Sequence, residues 1–233
     1  MKRSELNNII ENEIEFINKM NFKLPPFAFW DKEEWAKKDE RYKEIKDNML
    51  GWDITDFGHG DYEKIGLLMF TIRNGSLESD EYSKPYAEKL LISHENQVTP
   101  YHFHRQKMED IINRGGGNLI VKVYNATADE KLDETSAVTV YKDGFTDTVP
   151  AGGTIRLLPG ESITIQPGLY HSFWGEEGHG TVLVGEVSKV NDDRTDNRFL
   201  EETGRFPAIE EDEEPLYLLY QDYSDMAADK AGK

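Results

Sequence analysis

The sequence predicts a mainly β fold, a sandwich or barrel of short strands, with helices confined to its beginning. Two observations carry this. From about Ile65 onward, brief apolar or alternating runs are separated by turn signals, while the first fifty residues repeat apolar side chains at steps of three and four. A chain of 233 residues with 22 Phe and Tyr and 4 Trp can also bury a substantial core, despite an apolar fraction of 37%.

Taken in order, Leu6, Ile9, Ile10, Ile14, Phe16, Ile17 and Met20 form an amphipathic stripe, with Ser4 placed to cap a helix over 4–20. Leu24-Pro25-Pro26-Phe27 interrupts the pattern. A second helix is expected over 31–50, opened by Asp31 with Glu34 as its capping pair and stopped at Gly51. Both read as scaffold packed on the outside of a sheet. Strands are expected at 65–72, 89–93, 119–124, 137–141, 154–158, 162–165 and 181–187. Asn74-Gly75, Gly115-Gly116-Gly117, Asp143-Gly144, Gly152-Gly153, Pro159-Gly160 and Pro167-Gly168 punctuate them. So many short strands suit a sandwich or barrel better than a parallel α/β sheet. Beyond Val190 the chain turns polar. The acidic run Glu210 to Glu214 reads as a solvated loop, and the apolar patch 216–220 as a segment that packs back onto the body.

Composition narrows the function. With 27 Lys and Arg against 45 Asp and Glu the net charge is −18, which repels phosphate backbones and anionic membranes. No cysteine is present, so disulfides, thiolate metal sites and a cysteine nucleophile are excluded, in keeping with a reducing cytosol. Met1-Lys2-Arg3 leads into polar sequence rather than a signal-peptide core, and the apolar stretch 66–70 is too short to span a bilayer. The expectation is a soluble cytoplasmic protein.

Two of the six histidines stand in Tyr101-His102-Phe103-His104, where strand alternation points both imidazoles to one face. Glu109 follows five residues later, far enough to return across a turn, and His171 follows the Pro167-Gly168 turn. Three imidazoles and a carboxylate suit a divalent first-row metal and leave two octahedral positions open, the mark of a catalytic site. An H-x-H pair alone is equally compatible with hydrogen-bonded or surface histidines. His94, His59 and His179 have no ligand partner at useful spacing and read as structural or surface residues. The spacing of His102, His104, Glu109 and Gly116, with Gly160, Gly168 and His171 downstream, resembles the two cupin motifs. That resemblance implies an antiparallel jelly-roll barrel with N-terminal helices packed on its outside. Asn96, Gln166 and Gly175 depart from the motifs at turn positions.

Longer strings narrow the resemblance. The segments 94–104 (HENQVTPYHFH), 109–117 (EDIINRGGG), 185–193 (GEVSKVNDD) and 195–199 (TDNRF) together resemble the D-lyxose isomerases, over most of the chain. That family implies aldose–ketose interconversion, D-lyxose with D-xylulose and often D-mannose with D-fructose. It also implies a Mn²⁺-type metal, with Co²⁺, Fe²⁺, Zn²⁺ or Ni²⁺ as alternatives, and a cytoplasmic homodimer. The organisation expected is one domain over 1–233: a helical extension at 1–60, a barrel with the metal site at 61–190, and a C-terminal segment at 191–233 that packs on the barrel.

The chemistry assigns further candidates. Isomerisation places negative charge on O1 and O2 of the sugar, and a metal with two vacant positions can chelate both oxygens as an enediolate. Glu186, on the strand over 181–187, is the candidate for the base that moves the proton, although it could instead orient a ligand or face solvent. Lys107 and Lys89 could donate to sugar oxygens or remain solvated. Asp192, Asp193, Asp196 and Arg198 form a polar cluster suited to sugar hydroxyls or to a hydrogen-bonded loop. Trp174, with Tyr101 and Phe173, offers an apolar face or core packing. Two other functions share this ligand set: an Fe²⁺ dioxygenase, and a sugar-binding cupin without a catalytic base.

Overall fold

The computed structural model describes residues 1–190, 193–204 and 206–224. Two antiparallel sheets face each other. The larger runs, from one edge, β1 (Gly51–Thr55), β2 (Leu67–Arg73), β3 (Tyr86–Ser93), β13 (Val182–Lys189), β5 (Glu109–Gly116), β11 (Ser162–Ile165), β8 (Val138–Lys142) and β9 (Phe145–Val149). The smaller runs β10 (Thr154–Leu157), β6 (Leu119–Ala126), β12 (Leu169–Gly175), β4 (Thr99–His104) and β14 (Asn197–Phe199), with β7 (Leu132–Asp133) beside β6. Leu67, Met69, Leu91, Ile111 and Val184 of the larger sheet meet Val121, Val123, Leu157 and Phe173 of the smaller in one buried core. This is the cupin-type barrel the motifs imply.

Alternation explains why β2 and β3 read as nearly continuous apolar runs. Leu67, Met69 and Leu91 face the barrel interior. Leu68, Phe70, Leu90 and Ile92 face outward, where α1 (Arg3–Lys19) covers them with Leu6, Ile10 and Ile17. A strand buried on both faces has no polar side to alternate with. His94 pins the same helix: its Nε2 lies 3.0 Å from Glu13 Oε1, and its Nδ1 lies 3.1 Å from Thr181 Oγ1. No described helix is long and apolar enough to cross a membrane.

Several boundaries differ from the expectations. The helix expected over 31–50 is broken into α2 (Lys32–Ala36) and α3 (Lys43–Asp47), with a 3₁₀ turn at Glu40–Tyr42 between them. Asp31 does cap α2, accepting from the Glu34 amide at 2.8 Å. Asp39 then accepts from the Arg41 amide at 3.1 Å, and so starts a new turn instead of continuing the helix. The extension at 1–60 is not wholly helical, because β1 adds an edge strand whose Trp52 and Ile54 join the core beneath α1. Likewise β14 lies beyond 190 and completes the smaller sheet. The patch at 216–220 packs back as expected, with Leu218 and Leu219 buried.

The acidic run 210–214 is an exposed loop, as expected, but it also makes ordered contacts with the start of α1. Arg3 is clasped by Glu211 at 2.7 Å and Asp222 at 3.2 Å, and Asp212 accepts from both the amide and the hydroxyl of Ser4. Asn7 reaches Glu213 at 2.6 Å. The run therefore caps α1 from outside, meeting its free amides and its positive dipole end. Ser4 donates to that cap and does not provide one itself.

Candidate active site

Strand register assembles the site. In the smaller sheet His171 of β12 lies directly across from His102 of β4, and alternation brings His104 to the same face. In the larger sheet Glu186 of β13 sits between Lys89 of β3 and Ile111 of β5, while Glu109 opens β5. The two faces meet in a cavity between the sheets, lined by the histidines, Glu109, Glu186, Lys89 and Lys107.

Each imidazole is held by its Nδ1. His102 donates to the Pro100 carbonyl at 2.9 Å, His171 to the Leu169 carbonyl at 3.1 Å and His104 to Asn197 Oδ1 at 2.8 Å. A neutral imidazole that donates from Nδ1 carries its lone pair on Nε2. Burial, then the neighbouring His171 and His104, hold His102 well below the usual histidine range; burial also lowers His104, against the pull of Glu109. Burial alone would raise the Glu109 carboxyl, but Lys107 and His104 hold it well below the usual carboxylate range.

The three rings bring their ligand atoms within 4.8 Å of one another. Glu109 Oε1 lies 3.1 Å from His104 Nε2 and 3.3 Å from His171 Nε2, and the latter nitrogen is buried without a hydrogen-bond partner among the described residues. Lone pairs gathered this closely on anionic and neutral acceptors repel unless a cation lies among them. The donor set thus fits a divalent metal, and the Nδ1 partners are the outer contacts that orient metal-ligating histidines. Beyond Glu109 the charges continue: Lys107 Nζ lies 2.6 Å from Glu109 Oε2 and 3.0 Å from Glu186 Oε1, and Lys89 Nζ lies 3.4 Å from Glu186 Oε1. All four groups are buried.

Of the residues singled out from sequence, His102, His104, Glu109, His171, Glu186, Lys107 and Lys89 come together here. Others do not. Trp174 follows inward-facing Phe173 and therefore points out of the barrel, beside Ile120. Arg198 pairs with outward-facing Phe103 and binds Glu130 at 3.0 Å instead of facing the cavity. Tyr101 packs on Tyr124 outside the cavity. Asp196 is not a free sugar ligand: its carboxylate accepts from the amides of Gln106 and Lys107 at 2.9 and 3.1 Å, and so shapes the turn between β4 and β5. Asp193 opens the short helix α4 (Asp193–Asp196), and Asp192 lies outside the described residues.

Sequence reasoning missed the neighbours of Arg198. Asn197 and Phe199 pair with His104 and His102 and share their inward face. Phe199 stacks on His102 with ring centroids 5.2 Å apart, and Phe57 packs on Phe199 in turn. Two glycines make the crossing at this wall possible: a Cβ on Gly204 would come within 2.9 Å of the Gly58 Cα. Two of the three motif departures follow from local backbone geometry. Asn96 has φ 59°, which asparagine tolerates. Gly175 lies so close to the His94 carbonyl that a Cβ would come within 2.7 Å of it.

A two-sheet antiparallel barrel with a histidine–glutamate cluster between its sheets defines a cupin-type protein. Within that class, the chain belongs to the D-lyxose isomerase family, whose sequence model matches residues 1–223. It is 52% identical to the D-lyxose/D-mannose isomerase of Serratia proteamaculans over 96% of this chain and 98% of that protein. It is 48% identical to the protein of the same name from Escherichia coli O157:H7, with the same coverage. In fold it is similar to the L-ribose isomerase of Acinetobacter sp. DL28 (TM-score 0.62, 13% identity, 90% of this chain and 98% of that one).

Proposed function

We propose that this protein is a metal-dependent aldose–ketose isomerase that interconverts D-lyxose with D-xylulose and D-mannose with D-fructose. The observation that carries the reading is the buried line of charge from the histidine cluster through Glu109, Lys107 and Glu186 to Lys89. His102, His104, Glu109 and His171 would hold the ion, with Mn²⁺ as the first candidate. When bound, it supplies positive charge against oxygens of the sugar.

Isomerisation removes the C2 proton of the aldose, leaves an enediolate, and returns a proton to C1 as the carbonyl moves to C2. Glu186 is the group that carries this proton. Lys107 and Lys89 hold its carboxylate in place and set two ammonium groups beside the region where oxyanion charge develops. Leu91, Met69, Phe173 and Phe57 line the cavity and keep bulk water from the carbanion-like carbon. A homodimer located in the cytoplasm belongs to the same reading, and a monomer by light scattering at micromolar concentration would refute the dimer.

Turnover in D₂O tests the chemistry. Proton transfer through Glu186 places solvent deuterium on C1 of the ketose, and Glu186→Gln retains metal while losing about two to four orders of magnitude in kcat. Original hydrogen retained at C1, together with a near-normal Glu186→Gln enzyme, would overturn the assignment in favour of a hydride shift.

A further inference from the structure

β4 and β12 are out of even register. His171 pairs with His102 and Phe173 with Thr99, so three steps along β4 match two along β12. Pro100 and Tyr101 together oppose Ser172, which makes a β-bulge, a device that re-aims side chains. On an even strand that turned His102 and His104 inward, Thr99 would point out of the barrel. The bulge turns it in, and Thr99 lines the same cavity as His102, Phe173 and Leu91.

The bulge is otherwise satisfied. Proline at its centre has no N–H to leave unpaired, the Pro100 carbonyl accepts from His102, and the Thr99 carbonyl accepts from Ser172 Oγ at 2.7 Å. The Thr99 hydroxyl is the exception: the residue is 3% exposed and Oγ1 has no hydrogen-bond partner among the described residues. The other polar groups around the cavity are engaged. Lys89, Lys107, Glu109 and Glu186 hold one another, Asn197 holds His104, and Thr55 Oγ1 accepts from the Phe57 amide. Valine would fill the same space without an unpaired hydroxyl, whose burial is unfavourable unless a ligand uses it. Nearby lining residues Leu67, Leu91 and Phe173 offer a sugar no polar contact.

We propose that Thr99 is a specificity-determining residue whose hydroxyl bonds a sugar hydroxyl beyond the reacting C1–C2 pair. This rests on the isomerase reading above, which assigns O1 and O2 to the charged cluster. The test compares wild type, Thr99→Val and Thr99→Ser on D-lyxose and on its 3-, 4- and 5-deoxy analogues, with metal content and melting temperature as controls for folding. Thr99→Val should lose about 10- to 100-fold in kcat/KM on D-lyxose, mainly through KM, and Thr99→Ser should stay within about threefold. On the one analogue that lacks the bonded hydroxyl, wild type and Thr99→Val should be equal. Thr99→Val within threefold of wild type on D-lyxose would overturn the proposal, as would an equal loss on every analogue. A wild type that turns over neither D-lyxose nor D-mannose would overturn the isomerase reading itself, an outcome distinct from an active wild type indifferent to Thr99.

Discussion

Asn197→Ala removes the acceptor that fixes His104. Nδ1–H of His104, on a residue 1% exposed, donates to Asn197 Oδ1 at 2.8 Å. Asp196 Oδ2 is 4.0 Å from the same nitrogen, but it can take over only by releasing the Gln106 and Lys107 amides. Without metal, the variant's imidazole escapes by changing tautomer or rotating. With metal, Nε2 must stay unprotonated to bind it, so the Nδ1 proton is buried unpaired and metal binding bears the penalty. An unsatisfied buried donor costs about 1–3 kcal/mol, which at 1.4 kcal/mol per decade weakens metal binding by roughly 5- to 150-fold. Loss of an outer partner of a metal-ligating histidine typically gives about 10- to 100-fold, in agreement. Competition against a chelator of known Mn²⁺ or Co²⁺ affinity measures the effect, with thermal unfolding in excess chelator as the folding control. Asn197→Asp keeps an acceptor and should bind at least as tightly as wild type, within about threefold. An Asn197→Ala affinity within twofold of wild type would refute the reasoning.

Ile10→Ala, at a position with no exposure on the sheet-facing side of α1, should destabilise by about 2–5 kcal/mol, read as a lower urea midpoint. Burial lowers His94, but its hydrogen bond to Glu13 and the charges of Glu13 and Glu63 prevail, so its folded pKa is raised above the unfolded value. The stability it adds is therefore complete below about pH 6.5 and is lost as pH rises through the folded pKa. The loss should be below about 1 kcal/mol, and the midpoint of His94→Gln should lack this pH dependence. Gly204→Ala drives a Cβ into the Gly58 backbone, so the wall carrying Phe57 must shift. The expected result is about a tenfold lower kcat/KM with metal content unchanged, and unchanged kinetics would show that this wall is not limiting.

The ligand set was legible in the sequence because two periodicities coincide: strand alternation across His102 and His104, and turn spacing that returns Glu109 and His171 to them. Glu186 and Lys89 were legible for a related reason, since each lies in an apolar run where a charge has to face something polar. Asn197 and Phe199 were not, because a three-residue strand leaves no period to read and Arg198 offered the more obvious polar group. Nearness to His171 in sequence does not place Trp174 at the site, because three steps along a strand reverse the face. The bulge left one trace, Pro100 inside an otherwise regular strand. The break in the 31–50 helix was likewise written in Asp39, whose side chain competes with the helix for backbone amides.

The clasp between α1 and the 208–222 segment bears on how the molecule is made. Arg3 and Glu211 are separated by 208 positions, and the amino group of Met1 donates to the carbonyl of Ala208. On the ribosome, α1 emerges before its partners, with its apolar stripe bare. Most of its sheet partners, Trp52 to Ile92, follow soon after, whereas Leu183 comes well over a hundred residues later and the Asp212 carboxylate that bonds Ser4 comes 208 residues after it. Until β1 to β3 are made this helix is an exposed amphipathic segment, the kind of surface that chaperones hold. A tag fused ahead of Met1 would meet the 208–214 segment as it docks, so a tag at that end should slow maturation of the finished protein even where it leaves the active site untouched.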